Sequence, residues 1–287
     1  MPAQQRRANM KKLTPIFTCT LFAAALSAEA AVVITFAEDP NSLNSSLSGT
    51  DVFDFNKLKE GTNKKVDWTG VGTFDQLFIK SADAYGGAMD KSNPKGTQYS
   101  LQGAGTKVLS STLSLKEASS YFGMWWSAGD SQNVLDFYLG DKLVSQFTTA
   151  SLMEPLPEAY DGNPKDRTIN ASEPYAFINF FGDEFTSWDR IVLKNTGSSG
   201  FESDNYTSRV EAWDPLVDGA LPGVPVAIVS GKETKQVTVE SLEGTRWNIG
   251  KTSVGNVPGA PAPPWLLLIA FAAVTYARMS KSQNQIA

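Results

Sequence analysis

The chain has 287 residues, with 25 Lys and Arg against 30 Asp and Glu, no histidine and one cysteine, Cys19. No histidine-based nucleophile system and no His- or Cys-ligated zinc site can be assembled from this composition. What remains open is chemistry by carboxylates, Tyr or Lys, and hard-cation binding through oxygen ligands.

The first element in chain order is an export signal. Arg6, Arg7, Lys11 and Lys12 form a positive region, Leu13 to Leu26 is mostly apolar, and Ala28-Glu29-Ala30 is a small-x-small cleavage site. That order defines a secretory signal peptide over residues 1–30, with the mature chain starting at Ala31. Met10 opens a complete signal by itself. Cys19 lies inside the apolar run and leaves with the signal, so the mature chain carries no thiol. The expected partners at this end are the Sec export machinery and signal peptidase.

Four basic residues and one acidic residue lie in the signal, and two basic residues lie in the last thirty-one. The remaining 31–256 stretch holds 19 basic against 29 acidic residues. An acidic domain of this kind offers no electrostatic footprint for nucleic acid.

The body reads as short alternating runs separated by Gly, Asn, Ser and Pro. Strands are predicted at Asp51–Phe55, Phe74–Ile79, Tyr99–Leu101, Val108–Leu115, Tyr121–Trp126, Asn133–Tyr138 and Lys142–Phe147. Gly140-Asp141 between the last two matches a type II′ hairpin turn. After a polar loop come Tyr175–Phe181, Trp188–Leu193 and Tyr206–Trp213. Many short strands without long helical patterns predict an all-β protein, an antiparallel β-sandwich of jelly-roll-like topology over 31–215. Residues 216–256 read as a small β extension or stalk.

Three constellations bear on chemistry. Adjacent tryptophans in a strand point to opposite faces. One of Trp125 and Trp126 therefore enters the core, and the other is a candidate platform for stacking on a sugar. Glu202, Asp204 and Asn205 supply oxygen ligands within four residues, in a stretch read as a Gly-rich turn. With Asp130 and Asn133 they form a candidate calcium site. The acids of loop 154–173, Glu173 among them, read as a solvated connection.

The C-terminal end has its own order. Val257-Pro258-Gly-Ala-Pro261-Ala-Pro263-Pro264 is stiff, Trp265 to Ala277 is apolar, and Arg278 and Lys281 follow. The apolar run reads as a short single transmembrane helix, with the basic end on the cytoplasmic side. Residues 257–287 resemble the PEP-CTERM sorting signal of exosortase-dependent bacterial surface proteins. Pro-Gly-Ala-Pro stands where that family has Pro-Glu-Pro, and two basic residues replace its arginine cluster. The body is similar to members of the same class at Tyr121–Asp130, Glu173–Phe181, Gly200–Asn205 and Leu221–Pro225.

The resemblance implies a Gram-negative envelope protein. It would be anchored transiently in the inner membrane, cut by an exosortase near the Pro-rich segment, and moved to the cell surface or exopolysaccharide matrix. It carries over no catalytic residues, and the expectation is a non-enzymatic structural protein of the extracellular matrix. The alternative is a carbohydrate-binding module in contact with extracellular polysaccharide and assisted by Ca2+.

Overall fold

The computed structural model describes residues 30–242 together with Thr245 and Trp247. The signal peptide with Ala28, the sorting residues Val257, Pro258, Pro261, Pro263, Pro264, Arg278 and Lys281, and the apolar run between them lie outside the described residues. Among the described residues no helix is long and apolar enough to cross a membrane.

The described residues form fourteen strands. In chain order they are β1 (Val32–Phe36), β2 (Asp51–Phe53), β3 (Gly61–Trp68), β4 (Gly72–Lys80), β5 (Tyr99–Gly103), β6 (Ser110–Ser119) and β7 (Tyr121–Ser127). Then follow β8 (Asn133–Leu139), β9 (Lys142–Thr148), β10 (Ala176–Gly182), β11 (Trp188–Asn195), β12 (Gly200–Arg209), β13 (Val224–Ser230) and β14 (Glu233–Gln236). They join one antiparallel sheet in the order β14-β13-β1-β10-β7-β12-β5-β4-β6-β11-β8-β9, with β2 on β12 and β3 on β4. The two ends approach each other. Gly231 accepts from the Gln146 amide at 2.6 Å and donates to Val144 O at 2.9 Å. The sheet thus closes nearly into a barrel, which removes most of the exposed edge a long sheet would otherwise present.

Strand periodicity explains where the core lies. Phe122, Met124 and Trp126 on β7, and Ala176, Ile178 and Phe180 on β10, all enter one apolar cluster. Phe137 of β8 touches Phe122 and Phe180 at ring-centroid distances of 6.2 and 5.1 Å, although β8 is not a sheet neighbour of either strand. Opposite walls therefore meet through aromatic rings. The β8–β9 hairpin turns at Gly140, whose φ is +58° while Asp141 stays out of the positive region, as a type II′ turn requires.

Three differences from the sequence reading have physical causes. Strand β1, VVITF, is buried throughout and shows no period-two alternation to announce it. Strand β3, GTNKKVDW, is largely exposed on one side and polar. Strand β12 begins at Gly200 rather than Tyr206. Its Glu-Ser-Asp-Asn stretch is depleted in β-formers, yet all ten residues are buried between neighbouring strands and covering loops. Strands β13 and β14 extend the same sheet, with β13 paired directly to β1.

Candidate functional site: the outer face of β7 and β12

Alternation along β7 sends Trp125 and Ser127 to the face opposite Trp126. Asp204 of β12 pairs with Trp125, and Glu202 pairs with Ser127, so these four side chains share the outer face. A bulge follows. Three steps along β12, from Asp204 to Thr207, match two along β7, from Trp125 to Gly123. The extra residue is Asn205, at φ +48°. It keeps Tyr206 pointing into the core, where a regular strand would have turned it outward. Left-handed φ is uncommon outside glycine, and Asn is among the residues that tolerate it best.

Two loops cover this face. The loop between β4 and β5 is tied to β12 by Asp204, which accepts from the Ala88 amide at 2.9 Å and from the Thr97 hydroxyl. Tyr99 donates to Asp83 at 3.1 Å. The loop before β10 is tied to the first loop through Ala84 O, which accepts from Asn170 Nδ2 and the Tyr175 hydroxyl, each at 2.8 Å. Under this cover Trp125 packs with Ala88, Ala128, Tyr175 and Phe177. Among the described residues neither Trp125 Nε1 nor Ser127 Oγ has a hydrogen-bond partner.

The electrostatics of this face are unusual. Burial pushes Glu202 up to about 8, and repulsion from Asp130, Asp83 and Glu173 adds to the shift. Burial also pushes Asp204 up to about 7, against the lowering effect of its hydrogen bonds to Ala88 and Thr97. Glu173 is raised by burial and by Asp130. A carboxyl with a folded-state value near 8 is mostly protonated at neutral pH, so Glu202 is able to donate a proton or a hydrogen bond.

The predicted residues are placed as follows. Trp125, Asp130, Glu202, Asp204 and Asn205 converge on or beside this face, whereas Trp126 and Asn133 do not. Trp126 lies in the barrel interior, where its Nε1 donates to Asn133 Oδ1 at 2.8 Å. Asn133 in turn donates to Gly200 O. As for the sugar-stacking candidates, both indoles are 0% exposed, one in the core and the other beneath the loops. Of the residues grouped as calcium ligands, Asp204 bonds to Ala88 and Thr97, Asp130 to Ser199, Asn205 to Leu43 and Asn133 to Trp126. Among the described residues no three Asp, Glu, His or Cys side chains are grouped to hold a metal ion.

Sequence reasoning missed Asp83, Tyr99, Ser127 and Tyr175 as members of this cluster. It also took Glu173 as solvated. Strand alternation from Trp125 was enough to find Ser127; the others arrive on covering loops, whose placement depends on tertiary contacts.

No family model matches the chain, and no curated protein matches it. Among solved structures it is similar to the catalytic domain of a GH87 α-1,3-glucanase, the D1069A variant in complex with tetrasaccharides. The identity is 15% and the TM-score 0.27, over 65% of this chain and 31% of that one. The chain thus spans about a third of that structure's length. The expectation of a non-enzymatic protein meets a catalytic domain among the structural neighbours and is not carried forward. A likeness of this strength argues for no particular activity.

Proposed function

We propose that this is an exported envelope protein of a Gram-negative bacterium. Its precursor is held in the inner membrane by residues 265–277 and released by an exosortase to the cell surface or exopolysaccharide matrix. The observation that carries the reading is the order of signals at the two ends: positive, apolar and small residues before Ala31, then Pro-rich, apolar and basic residues after Asn256. The position of β1 supports it. This strand starts at Val32, two residues past Ala30, and pairs with β10 on one side and β13 on the other. Cleavage after Ala30 leaves the sheet whole, while a cut a few residues later would remove an interior strand. We read the nearly closed sheet as a flattened, jelly-roll-like sandwich. The contacts of Phe137 with Phe122 and Phe180 across the interior favour that shape.

Mass spectrometry of both ends of the mature protein, in a host that carries an exosortase, tests the proposal. An N-terminus at Ala31 and a C-terminus within the Pro-rich segment are expected. Recovery of the intact C-terminal segment from the cell surface would count decisively against exosortase sorting.

A further inference from the structure

Residues 42–46 cross the outer face of the sheet as a bridge, with a cleft on either side. One cleft, of about 420 Å³, runs over Phe177 and Asn179 toward Leu221 and Pro222. The other, of about 380 Å³, runs past the β12 bulge at Asn205 to Asp90 and Thr97. Asn44 lines both, so the two adjoin at this residue. Each volume falls in the range of small-molecule sites.

Three features define what such a groove would take. The first is charge: among the described residues neither cleft is lined by Lys or Arg. Glu38 and Asp39 stand on one, Asp54 and Asp90 on the other. Asp218 also reaches the first cleft, but Arg209 holds both its oxygens at 2.7 Å. Anionic ligands are repelled by such a surface. The second is dispersion. The four remaining carboxylates are spread over two clefts, and no three acidic side chains among the described residues are grouped to hold a metal ion. Separated carboxylates, amides and hydroxyls suit many single hydrogen bonds better than one ion. The third is rigidity. Asn205 Nδ2 donates to Leu43 O at 2.8 Å, and the Tyr121 hydroxyl donates to Ser45 Oγ at 2.6 Å. The bridge is pinned from below at two points, so little ordering cost falls on binding.

We infer that the two clefts form one extended site for a neutral polyhydroxylated chain, an uncharged oligosaccharide lying across Asn44. The inference deepens the surface and matrix reading given above, but its chemistry does not depend on whether the C-terminal segment is processed.

The test uses the purified full chain in detergent. Isothermal titration is run with cellohexaose, laminarihexaose, maltohexaose and mannohexaose as neutral probes. Hexagalacturonate, a chitosan hexamer and CaCl2 serve as charged controls. Asn44 is exposed, so Asn44→Ala and Asn44→Arg should melt as the parent does. At least one neutral hexamer should bind. Asn44→Ala should weaken it about tenfold, the value of one good hydrogen bond, and Asn44→Arg, which fills the junction, should abolish it. The site is refuted by no neutral binding up to about 10 mM, by affinity unchanged in both variants, or by binding confined to the chitosan hexamer or calcium. Mass spectrometry of the chain ends reports on sorting separately, so either reading can fail alone.

Discussion

The two faces of strands β7 and β12 are equally buried but differently made. On the inner face Phe122, Met124, Trp126, Phe201 and Tyr206 pack into one aromatic core, and the polar atom of its largest side chain is satisfied by Asn133. On the outer face the same strands bury Glu202, Asp204, Ser127 and Trp125 beneath two loops, with carboxyls held far above their usual range. The contrast teaches a division of labour. Hydrophobic burial on the inner face supplies the stability from which the outer face can carry unfavourable desolvation. The ionisable groups with the most displaced carboxyl values therefore lie on the outer face.

Truncating the two tryptophans separates these roles most sharply. Trp126→Ala empties a site enclosed by opposite walls of the barrel and should cost about 3–5 kcal/mol. Trp125→Ala empties a site roofed by loops that are able to collapse, and should cost roughly half as much. Urea denaturation of both variants measures the difference. Equal losses would mean that the loops are packed as rigidly as the barrel.

The outer face also carries a charge pair of the opposite character. Arg209, at the end of β12, makes a two-pronged contact with Asp218, and the guanidinium holds the Asp218 carboxyl below its usual value. Asp218→Asn leaves the Arg209 charge buried without its partner and should cost about 3 kcal/mol. Stability from this pair is present above the ordinary Asp range and is lost as pH falls through the depressed folded value.

Glu202 and Asp204 work in the other direction. Their folded values lie above the unfolded ones, so the folded state holds protons that the unfolded state has released. Their contribution is fully present below the unfolded values of 4.5 and 3.8, and it declines as pH rises toward about 8 and about 7. Taken with Asp218, this places maximum stability in mild acid. Glu202→Gln removes the penalty of ionising a buried carboxyl. It should raise stability at pH 8.5 by about 4 kcal/mol and leave pH 4 nearly unchanged. Thermal melts of parent and variant across that interval check the sign. A variant equally stabilised at both ends would show that packing, not ionisation, is responsible.

The division between faces also explains what could be read in the sequence. Period-two runs such as Asn133–Tyr138 and Lys142–Phe147, with Gly140-Asp141 between them, declare a strand pair locally because the inner face needs apolar side chains at every second position. The stretch Glu202 to Asn205 declares the opposite. Its polar residues look like a turn, and only cover by loops from elsewhere in the chain makes it a central strand. Asp130 and Glu202 were legible as candidate oxygen donors, but not as neighbours of Asp83 and Glu173. Those residues sit far apart in sequence and meet only when both loops fold over β12. Trp125 illustrates the limit best: alternation put one of the two adjacent indoles outside the core, but nothing local showed which one, or that Tyr175 and Ala88 would cover it.

Backbone strain gives the finest comparison of the two regions. Gly140 and Asn205 both adopt left-handed φ, +58° and +48°. At Gly140 a Cβ would meet nothing within 4 Å, so Gly140→Ala isolates the conformational term and should cost about 1 kcal/mol. At Asn205 the strain is already present and is offset by the bond from its amide to Leu43 O. Asn205→Gly would relieve the first and lose the second, each about 1 kcal/mol. Stability should therefore change little, while hydrogen exchange at the amides of residues 42–46 should accelerate. A clear loss of stability without faster exchange there would mean that Asn205 supports the barrel rather than the bridge. In that case the bulge would belong to the core after all.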